Sequence, residues 1–245
     1  MKKNLTILSV LLITLISLQA KAQDDVDTKA KSYMSFFGGL SNPTSNFGSS
    51  DYNNNSAAFA KKGVTFGLEG VAYFYKNLAF AASFSYQDQG ELNATDVQNL
   101  SNGYNTSFNK DETTITAVNR YVNFNLMGGP QYSFLYKKFT LDIRAMAGFI
   151  KSASTPSLDI VFDYSTNADA TVKQLSSSAL SFAYGGSVGL RYKLSDSWDV
   201  GLKANYIKSD GIKIENSNND GTIGRFVTKL PIAEIQTTLG IALKF

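Results

Sequence analysis

Six charged residues lie at alternate positions in segments that otherwise carry apolar or small side chains: Glu69, Asp142, Arg144, Arg191, Lys203 and Glu234. Each belongs to the polar side of an alternating pattern, so each is predicted to point to the polar face of a β-strand. A buried charge is costly unless it is paired. We therefore predict that several of the six form a salt-bridged network, which would plug the interior of a sheet that closes into a barrel.

Residues for catalysis are scarce, because the sequence contains no histidine and no cysteine. The commonest general base is missing, and so are the side chains that most often bind transition metals. A Ser–Lys or carboxylate-only site stays open as an alternative, although no spacing singles one out. The segment from Asn216 to Gly221 resembles the start of a calcium loop, but Val227 occupies the twelfth position, where a glutamate is needed. We predict no catalytic residue, no cofactor and no metal site.

The amino terminus has the pattern of a secretory signal. Met1-Lys2-Lys3 precedes an apolar stretch from Leu5 to Leu18, and Ala20-Lys21-Ala22 provides a small-x-small cleavage site. The alternative, a membrane anchor, needs an apolar stretch of roughly 20 residues. We predict that residues 1–22 are cleaved and that residues 23–32 form a flexible mature amino terminus.

Removal of this segment changes the charge of the chain. Three of the 23 basic residues leave with it, so the mature chain keeps 20 basic residues against 20 acidic ones. No nucleic-acid partner is expected for a chain without a basic excess.

Eight segments alternate between apolar and polar residues with the period of a β-strand. They are residues 33–40, 63–75, 78–89, 117–136, 139–149, 179–194, 198–208 and 231–245. Short turns at residues 76–77, 137–138 and 195–197 alternate with long polar stretches at residues 41–62, 90–116, 152–178 and 209–227. This rhythm is typical of an outer-membrane barrel with short periplasmic turns and long extracellular loops. Within the fourth segment, Gly128-Gly129-Pro130 predicts a bulge or kink, because proline cannot donate to a sheet ladder.

The composition of the two faces decides between a soluble barrel and a membrane barrel. A soluble barrel would carry a Lys- and Glu-rich outer face, whereas here the polar face is mostly small and uncharged. Aromatic residues also gather near the short turns, as a periplasmic girdle requires: Phe74, Tyr75, Tyr136, Phe139, Tyr192, Trp198 and Phe245. A second belt at the opposite strand ends is predicted from Phe84, Tyr86, Tyr121, Phe149, Phe182, Tyr184 and Tyr206. The alternative for any one of them is an ordinary β-core residue.

The last segment alternates up to a terminal aromatic, Phe245, and it resembles the closing strand that serves bacterial outer-membrane barrels as an assembly signal. Through its strands, turns and loops, the whole mature chain resembles the small eight-stranded outer-membrane β-barrels of the OmpA-type and OmpX-like families. The cleavage context and the Asn- and Tyr-rich loops are similar to exported proteins of Bacteroidota-type bacteria. The resemblance implies an all-β fold, an eight-stranded antiparallel up-and-down transmembrane β-barrel, over residues 33–245. It also implies the outer membrane of a Gram-negative bacterium, contact with lipid and lipopolysaccharide, recognition of the terminal strand by the barrel-assembly machinery, and a monomer.

The loops hold the best indication of function. Residues 113–122 and 157–164 are rich in β-prone residues beyond the length that a membrane crossing needs, so they either continue the strands as a sheet above the surface or form ordered loops. An exposed sheet edge can capture another chain by strand addition, and an extracellular protein ligand is predicted at loops 90–116 and 152–178. The leading prediction is a structural, adhesive or binding role without catalysis. The alternative is a small passive pore for ions or small solutes.

Overall fold

The computed structural model describes residues 30–54, 56–108, 112–162, 170–218 and 226–245. The predicted signal peptide and residues 23–29 of the predicted flexible segment lie outside the described residues, as does the end of the calcium-like stretch, from residue 219. Within the described part, thirteen strands are present: β1 (Tyr33–Pro43), β2 (Gly63–Tyr75), β3 (Leu78–Asp88), β4 (Thr113–Val118), β5 (Val122–Tyr136), β6 (Phe139–Ser154), β7 (Ser157–Phe162), β8 (Ala170–Gln174), β9 (Leu180–Lys193), β10 (Trp198–Ser209), β11 (Ile212–Asn218), β12 (Phe226–Leu230) and β13 (Ala233–Lys244). They are joined by one α-helix, α1 (Ala94–Phe108), and one 3-10 turn (Ser45–Gly48).

Eight of these strands form a closed antiparallel barrel in the order β1-β13-β10-β9-β6-β5-β3-β2. The first and last barrel strands close the ring, with Tyr33 opposite Lys244. Strands that follow one another around the barrel also follow one another along the chain. The three short turns can join only antiparallel neighbours. The predicted eight-stranded up-and-down barrel is confirmed.

The alternation in the sequence places opposite chemistry on the two sides of the barrel wall. Leu68 and Leu239 point outwards and are 54% and 63% exposed, whereas the inward-pointing Glu69 is 4% exposed. An apolar outside and a polar inside is the arrangement that a lipid bilayer favours and water does not. Within the described residues, no helix has the length and apolarity that a membrane crossing requires.

The predicted fourth strand, residues 117–136, is two separate strands. The chain leaves β4 at Asn119, whose φ of 67° is left-handed, and enters β5 three residues later. Asparagine tolerates that conformation better than most residues do.

The predicted bulge at Gly128-Gly129-Pro130 is wrong. β5 pairs with β3 in an unbroken register through Pro130, which lies opposite Phe80. Its pairing with β6 has the same register before and after the proline. The missing N–H therefore interrupts the ladder on one side without shifting it. The register shifts instead between Tyr73 and Tyr75 and between Val122 and Asn123.

The remaining five strands form a second sheet from the long connections, in the order β12-β11-β8-β7-β4. Together with α1 it encloses its own apolar cluster, which includes Leu100, Ile115, Leu158 and Ile160. We call this unit the extracellular sheet. It shows that residues 113–118 and 157–162 do form a sheet beyond the barrel, although as strands separate from the barrel strands.

Helix α1 lies within a stretch that the sequence pattern presented as a loop. Its first turn is fixed by a reciprocal cap, in which the Asp96 N–H donates to Asn93 Oδ1 at 2.9 Å and the Asn93 N–H donates to Asp96 Oδ2 at 3.0 Å. Lys61 Nζ binds the same carboxylate at 2.7 Å. These contacts tie the helix to the connection that precedes β2.

Candidate functional site: the barrel interior and the extracellular sheet

The lower interior of the barrel, towards the short turns, holds a network of ion pairs. Arg144 Nη1 lies 2.7 Å from Glu69 Oε2, and Lys203 Nζ contacts the same carboxylate. Arg191 Nε lies 2.6 Å from Asp142 Oδ2. The structure thus brings five of the six predicted charges into ion pairs.

Two members of this network were missed by the sequence pattern. Asp199 accepts from Arg191 Nη1 at 2.9 Å and from Lys244 Nζ at 2.6 Å. Asp199 and Lys244 both occupy inner-face positions in the alternating pattern, so the pattern did indicate that they point inwards. Their positions at the ends of strands concealed this indication. They extend the ion pairs to the periplasmic end of the barrel.

Polar and aromatic neighbours satisfy the remaining groups of the network. The Arg191 guanidinium lies over the Tyr33 ring, 4.1 Å from its centroid, where the cation and the ring attract each other. Asp142 Oδ1 accepts from Ser133 at 2.5 Å and from Gln131 at 3.1 Å. The space left beside these residues is about 30 Å³, enough for one or two waters. Side chains therefore fill this half of the barrel.

Glu234 lies apart from the other five predicted charges, towards the long loops. Its carboxylate accepts from Ser41 at 2.9 Å, from Gln89 at 3.1 Å, from Gln236 at 2.9 Å and also from Gln87. No cation pairs with it among the described residues. The upper interior is a layer of amides around one carboxylate, whereas the lower interior is a layer of ion pairs.

Above the amides, an apolar plug closes the extracellular mouth. The plug is formed by Phe47, Tyr121, Ile212 and Ile232 from the connections, packed on Met127, Met146, Ile150 and Ile207 of the barrel wall. The Phe47 and Tyr121 rings meet edge to face, with centroids 5.3 Å apart. The Tyr121 hydroxyl donates to the Ala58 carbonyl oxygen at 2.8 Å, and burial raises the pKa of this phenol, which keeps it protonated. The prediction that Tyr121 belongs to a lipid-facing belt is therefore wrong, because the left-handed turn before β5 points its ring inwards.

The seven residues predicted as a periplasmic girdle lie at the strand ends next to the short turns and the terminus. Six of them are exposed, with Phe74 at 67% and Phe245 at 72%, and Tyr192 is half-buried against Phe139, with ring centroids 5.1 Å apart. Their role at the membrane interface stays a prediction.

The extracellular sheet has two different faces. Its outer face is polar, and carries the exposed pair Asp159 and Lys173 at 3.5 Å. Its inner face covers a cavity of about 650 Å³, lined on the opposite side by α1 and by residues 52–54 and 57–59. Its lining is apolar and aromatic with a few neutral polar groups, and none of the described residues that line it is charged.

The two edges of the extracellular sheet are β4 and β12. Of the two segments predicted to form a sheet, β7 (residues 157–162) lies inside it, because β7 pairs with β4 on one side and with β8 on the other. On β4, the Thr113 carbonyl accepts from the Ser101 hydroxyl of α1 and so points away from β7. Alternate residues of a strand point their backbone groups the same way. Those of Ile115 and Ala117 therefore also face the open edge.

Metal-binding groups are sparse. Across the described ranges, no three or more Asp, Glu, His or Cys residues are grouped so that they could hold a metal ion.

Comparison with known proteins places this architecture in a family. A family model described as "Outer membrane protein beta-barrel domain" matches residues 8–226, most of the chain. A comparison with curated proteins gave no match.

Among solved structures, the chain is similar to Neisserial surface protein A, with 12% identity, a TM-score of 0.47, and coverage of 88% of this chain and 98% of that one. It is also similar to Ail of Yersinia pestis, with 13% identity, a TM-score of 0.43 and coverage of 89% and 99%. A major outer membrane protein of Thermus thermophilus shares 8% identity at a TM-score of 0.43, with coverage of 87% and 99%. The family match and the closed eight-stranded barrel agree with the predicted fold and location. The chain belongs to the outer membrane protein beta-barrel domain family, and it is an integral outer-membrane protein of a Gram-negative bacterium.

Proposed function

We propose that the protein is a non-catalytic surface binding protein, in which a closed barrel anchors the extracellular sheet and that sheet engages a partner chain. The observation that carries the proposal is the five-stranded sheet itself. It has its own apolar cluster, a capped helix against one face and an edge at β4 that pairs with no second strand among the described residues. Ordered elements of this kind are more than a passive connection requires.

The filled interior supports this role over the alternative of a passive pore. A diffusing ion would have to pass an apolar plug, a layer of amides and a network of ion pairs in turn. An eight-stranded barrel is only wide enough to be filled by side chains. The barrel is therefore suited to hold the extracellular sheet in place rather than to conduct.

Strand addition at β4 is the mode of binding that the edge favours. An added strand would pair with the outward-facing backbone groups of Ile115 and Ala117, and pockets along the edge would select its side chains. This mode keeps the strand-addition prediction and assigns the edge to β4, residues 113–118, rather than to β7.

Selection from a displayed peptide library tests this mode, because the selection itself supplies the binding sequences. The full chain in lipid nanodiscs is the target, and enriched peptides are assayed against two variants. Ala117→Pro removes an outward N–H that the sheet itself does not use, and should abolish binding. Thr116→Ala changes a side chain on the outer face and leaves the edge intact, so it should retain binding.

Two outcomes oppose the strand-addition mode. One is enrichment of peptides that bind Ala117→Pro as tightly as the unaltered chain, provided that both proteins show the same heat-modifiable migration on gels. The other is the absence of any enriched peptide from a library of extended sequences.

The membrane partners follow from the fold. The exposed apolar face of the barrel contacts outer-membrane lipid. We infer in addition that the outer leaflet supplies lipopolysaccharide, that β13 is recognised by the barrel-assembly machinery, and that the protein acts as a monomer. The closed strand order supports the last inference, because no barrel edge is left to pair with a second copy.

A further inference from the structure

The cavity beneath the extracellular sheet has the size and lining of a small-molecule site. Its volume of about 650 Å³ lies within the range of roughly 300 to 1,000 Å³ that is usual for ligand pockets. Leu158, Ile160 and Val172 of the sheet face Leu100 and Tyr104 of α1 across it. We propose that this cavity binds an uncharged small molecule with an apolar ring or chain and a hydrogen-bond donor.

The aromatic walls of the cavity indicate that the ligand has an apolar body. The Tyr104 ring packs edge to face on Tyr52, with centroids 5.1 Å apart, and on Phe162 at 5.6 Å. Gly103 allows this arrangement, because a Cβ atom at this position would overlap the Tyr52 ring. The rings are held at α1 and give this side of the cavity an aromatic wall that an aromatic or aliphatic ligand can contact.

A neutral ligand is inferred from the lining, because the described residues that line the cavity include no Asp, Glu, Lys or Arg. The transfer of an ion from water into such a cavity would leave its charge uncompensated. The polar residues at the site are amides and hydroxyls, which suit a neutral polar group.

The hydrogen-bond donor of the ligand is inferred from two side-chain acceptors in the cavity. Gln174 and Asn216 lie opposite each other on β8 and β11, and both line the cavity. Gln174 uses its NH₂ group to donate to the Pro156 carbonyl at 3.1 Å, and Asn216 uses its NH₂ group to donate to Thr228 Oγ1 at 3.3 Å. Among the described residues, no donor is hydrogen-bonded to their side-chain carbonyl oxygens, so a hydroxyl or N–H group of the ligand matches these acceptors.

A charge series of one ring system tests the proposal on the full chain in nanodiscs. The probes are 2-naphthalenemethanol, 2-methylnaphthalene, naphthalene-2-sulfonate and 2-naphthylmethylammonium. The readout is the ¹³C-methyl shift of Ile160, which lines the cavity, and the methyl of lipid-facing Ile143 reports partition into the bilayer. The alcohol should give a saturable shift at Ile160 alone. Loss of the donor should weaken binding measurably, and either charge should weaken it at least about tenfold.

Two variants separate binding in the cavity from binding elsewhere. Ala57→Trp places a large ring at a lining position and should remove the Ile160 response. Thr116→Trp places the same ring on the exposed outer face of β4 and should keep it. Should Ala57→Trp fail to fold, Gln174→Leu removes one acceptor and should lower affinity for the alcohol towards that for 2-methylnaphthalene.

The proposal is overturned if no neutral probe gives a saturable shift at Ile160, if the charged probes bind as tightly as the alcohol, or if Ala57→Trp binds unchanged. These outcomes are independent of the proposed strand addition, because Ala117 does not line the cavity.

Discussion

Glu69 and Glu234 are both buried carboxylates inside the barrel, but their neighbours differ in charge. Glu69 binds Arg144 and Lys203, whereas Glu234 is surrounded by a serine and three glutamines. Removal of one partner from a buried ion pair leaves the other charge uncompensated. A neutral replacement at Glu234 leaves no such charge behind.

Replacement by glutamine should therefore change the free energy of unfolding differently at the two positions. Glu69→Gln should lower the free energy of unfolding by about 3 to 5 kcal/mol, because Arg144 and Lys203 lose their carboxylate. Glu234→Gln should leave it unchanged or raise it, since it removes a buried carboxylate that has no cation partner among the described residues. Urea unfolding in lipid vesicles, followed by fluorescence of the single tryptophan, Trp198, measures both. Equal losses for the two variants would contradict this account of the interior.

Arg191 joins the two carboxylates nearest the periplasmic end, Asp142 and Asp199. Arg191→Met should be destabilising by several kcal/mol, on the order of the cost of breaking a buried pair. The control is Asp196→Asn, which removes the partner of an exposed pair with Lys193 at 2.8 Å and should have little effect. The same unfolding assay applies, and a neutral Arg191→Met would show that the network is not a source of stability.

At the scale of elements, the strands approach each other closely where glycine faces the interior. A Cβ atom on Gly148 of β6 would overlap the Leu126 carbonyl oxygen of β5 and lie 2.9 Å from Met127 Cα. A Cβ atom on Gly70 of β2 would meet nothing within 4 Å. The two glycines thus provide a matched pair.

Gly148→Ala should strain the β5–β6 pairing and lower stability by about 1 to 3 kcal/mol, with a smaller folded fraction on heat-modifiable gels. Gly70→Ala should be within about 0.5 kcal/mol of the unaltered protein. A tolerated Gly148→Ala would mean that the two strands can separate without cost at this point.

The strands and the helix differ in how well the sequence predicts them. Period-two alternation predicted all eight barrel strands. Each residue of the barrel wall faces either lipid or the interior, and an apolar or polar side chain indicates which of the two it faces. The strands of the extracellular sheet were harder to predict, because they are short and because β4 is separated from β5 by three residues that include Asn119. Helix α1 carried a local signal in its reciprocal Asn93–Asp96 cap, although the strand pattern on either side concealed it.

The contents of the barrel interior could also be predicted only in part from the sequence. The inward direction of Asp142, Arg144 and Arg191 could be read from alternation, because it depends only on strand period. The separation of Glu234 from the cations could not, since it depends on the stagger of the strands around the barrel. The plug was hidden for the same reason, because Phe47 and Ile232 reach Met146 and Ile150 only after the chain has closed.

At the scale of the whole molecule, two folded units perform different tasks. The barrel has an apolar surface for lipid and an interior filled from one end to the other. The extracellular sheet has a separate apolar cluster, an open edge and a cavity. Function is therefore expected above the membrane, and the barrel interior is expected to contribute stability.

No stable unit conductance is expected in planar-bilayer recording of the full chain, because the plug, the amide layer and the ion pairs block the path in series. Phe47→Ala should leave the bilayer silent as well, since the two lower layers remain in place. Stable, uniform conductance steps from the unaltered protein would contradict the account and favour the passive pore.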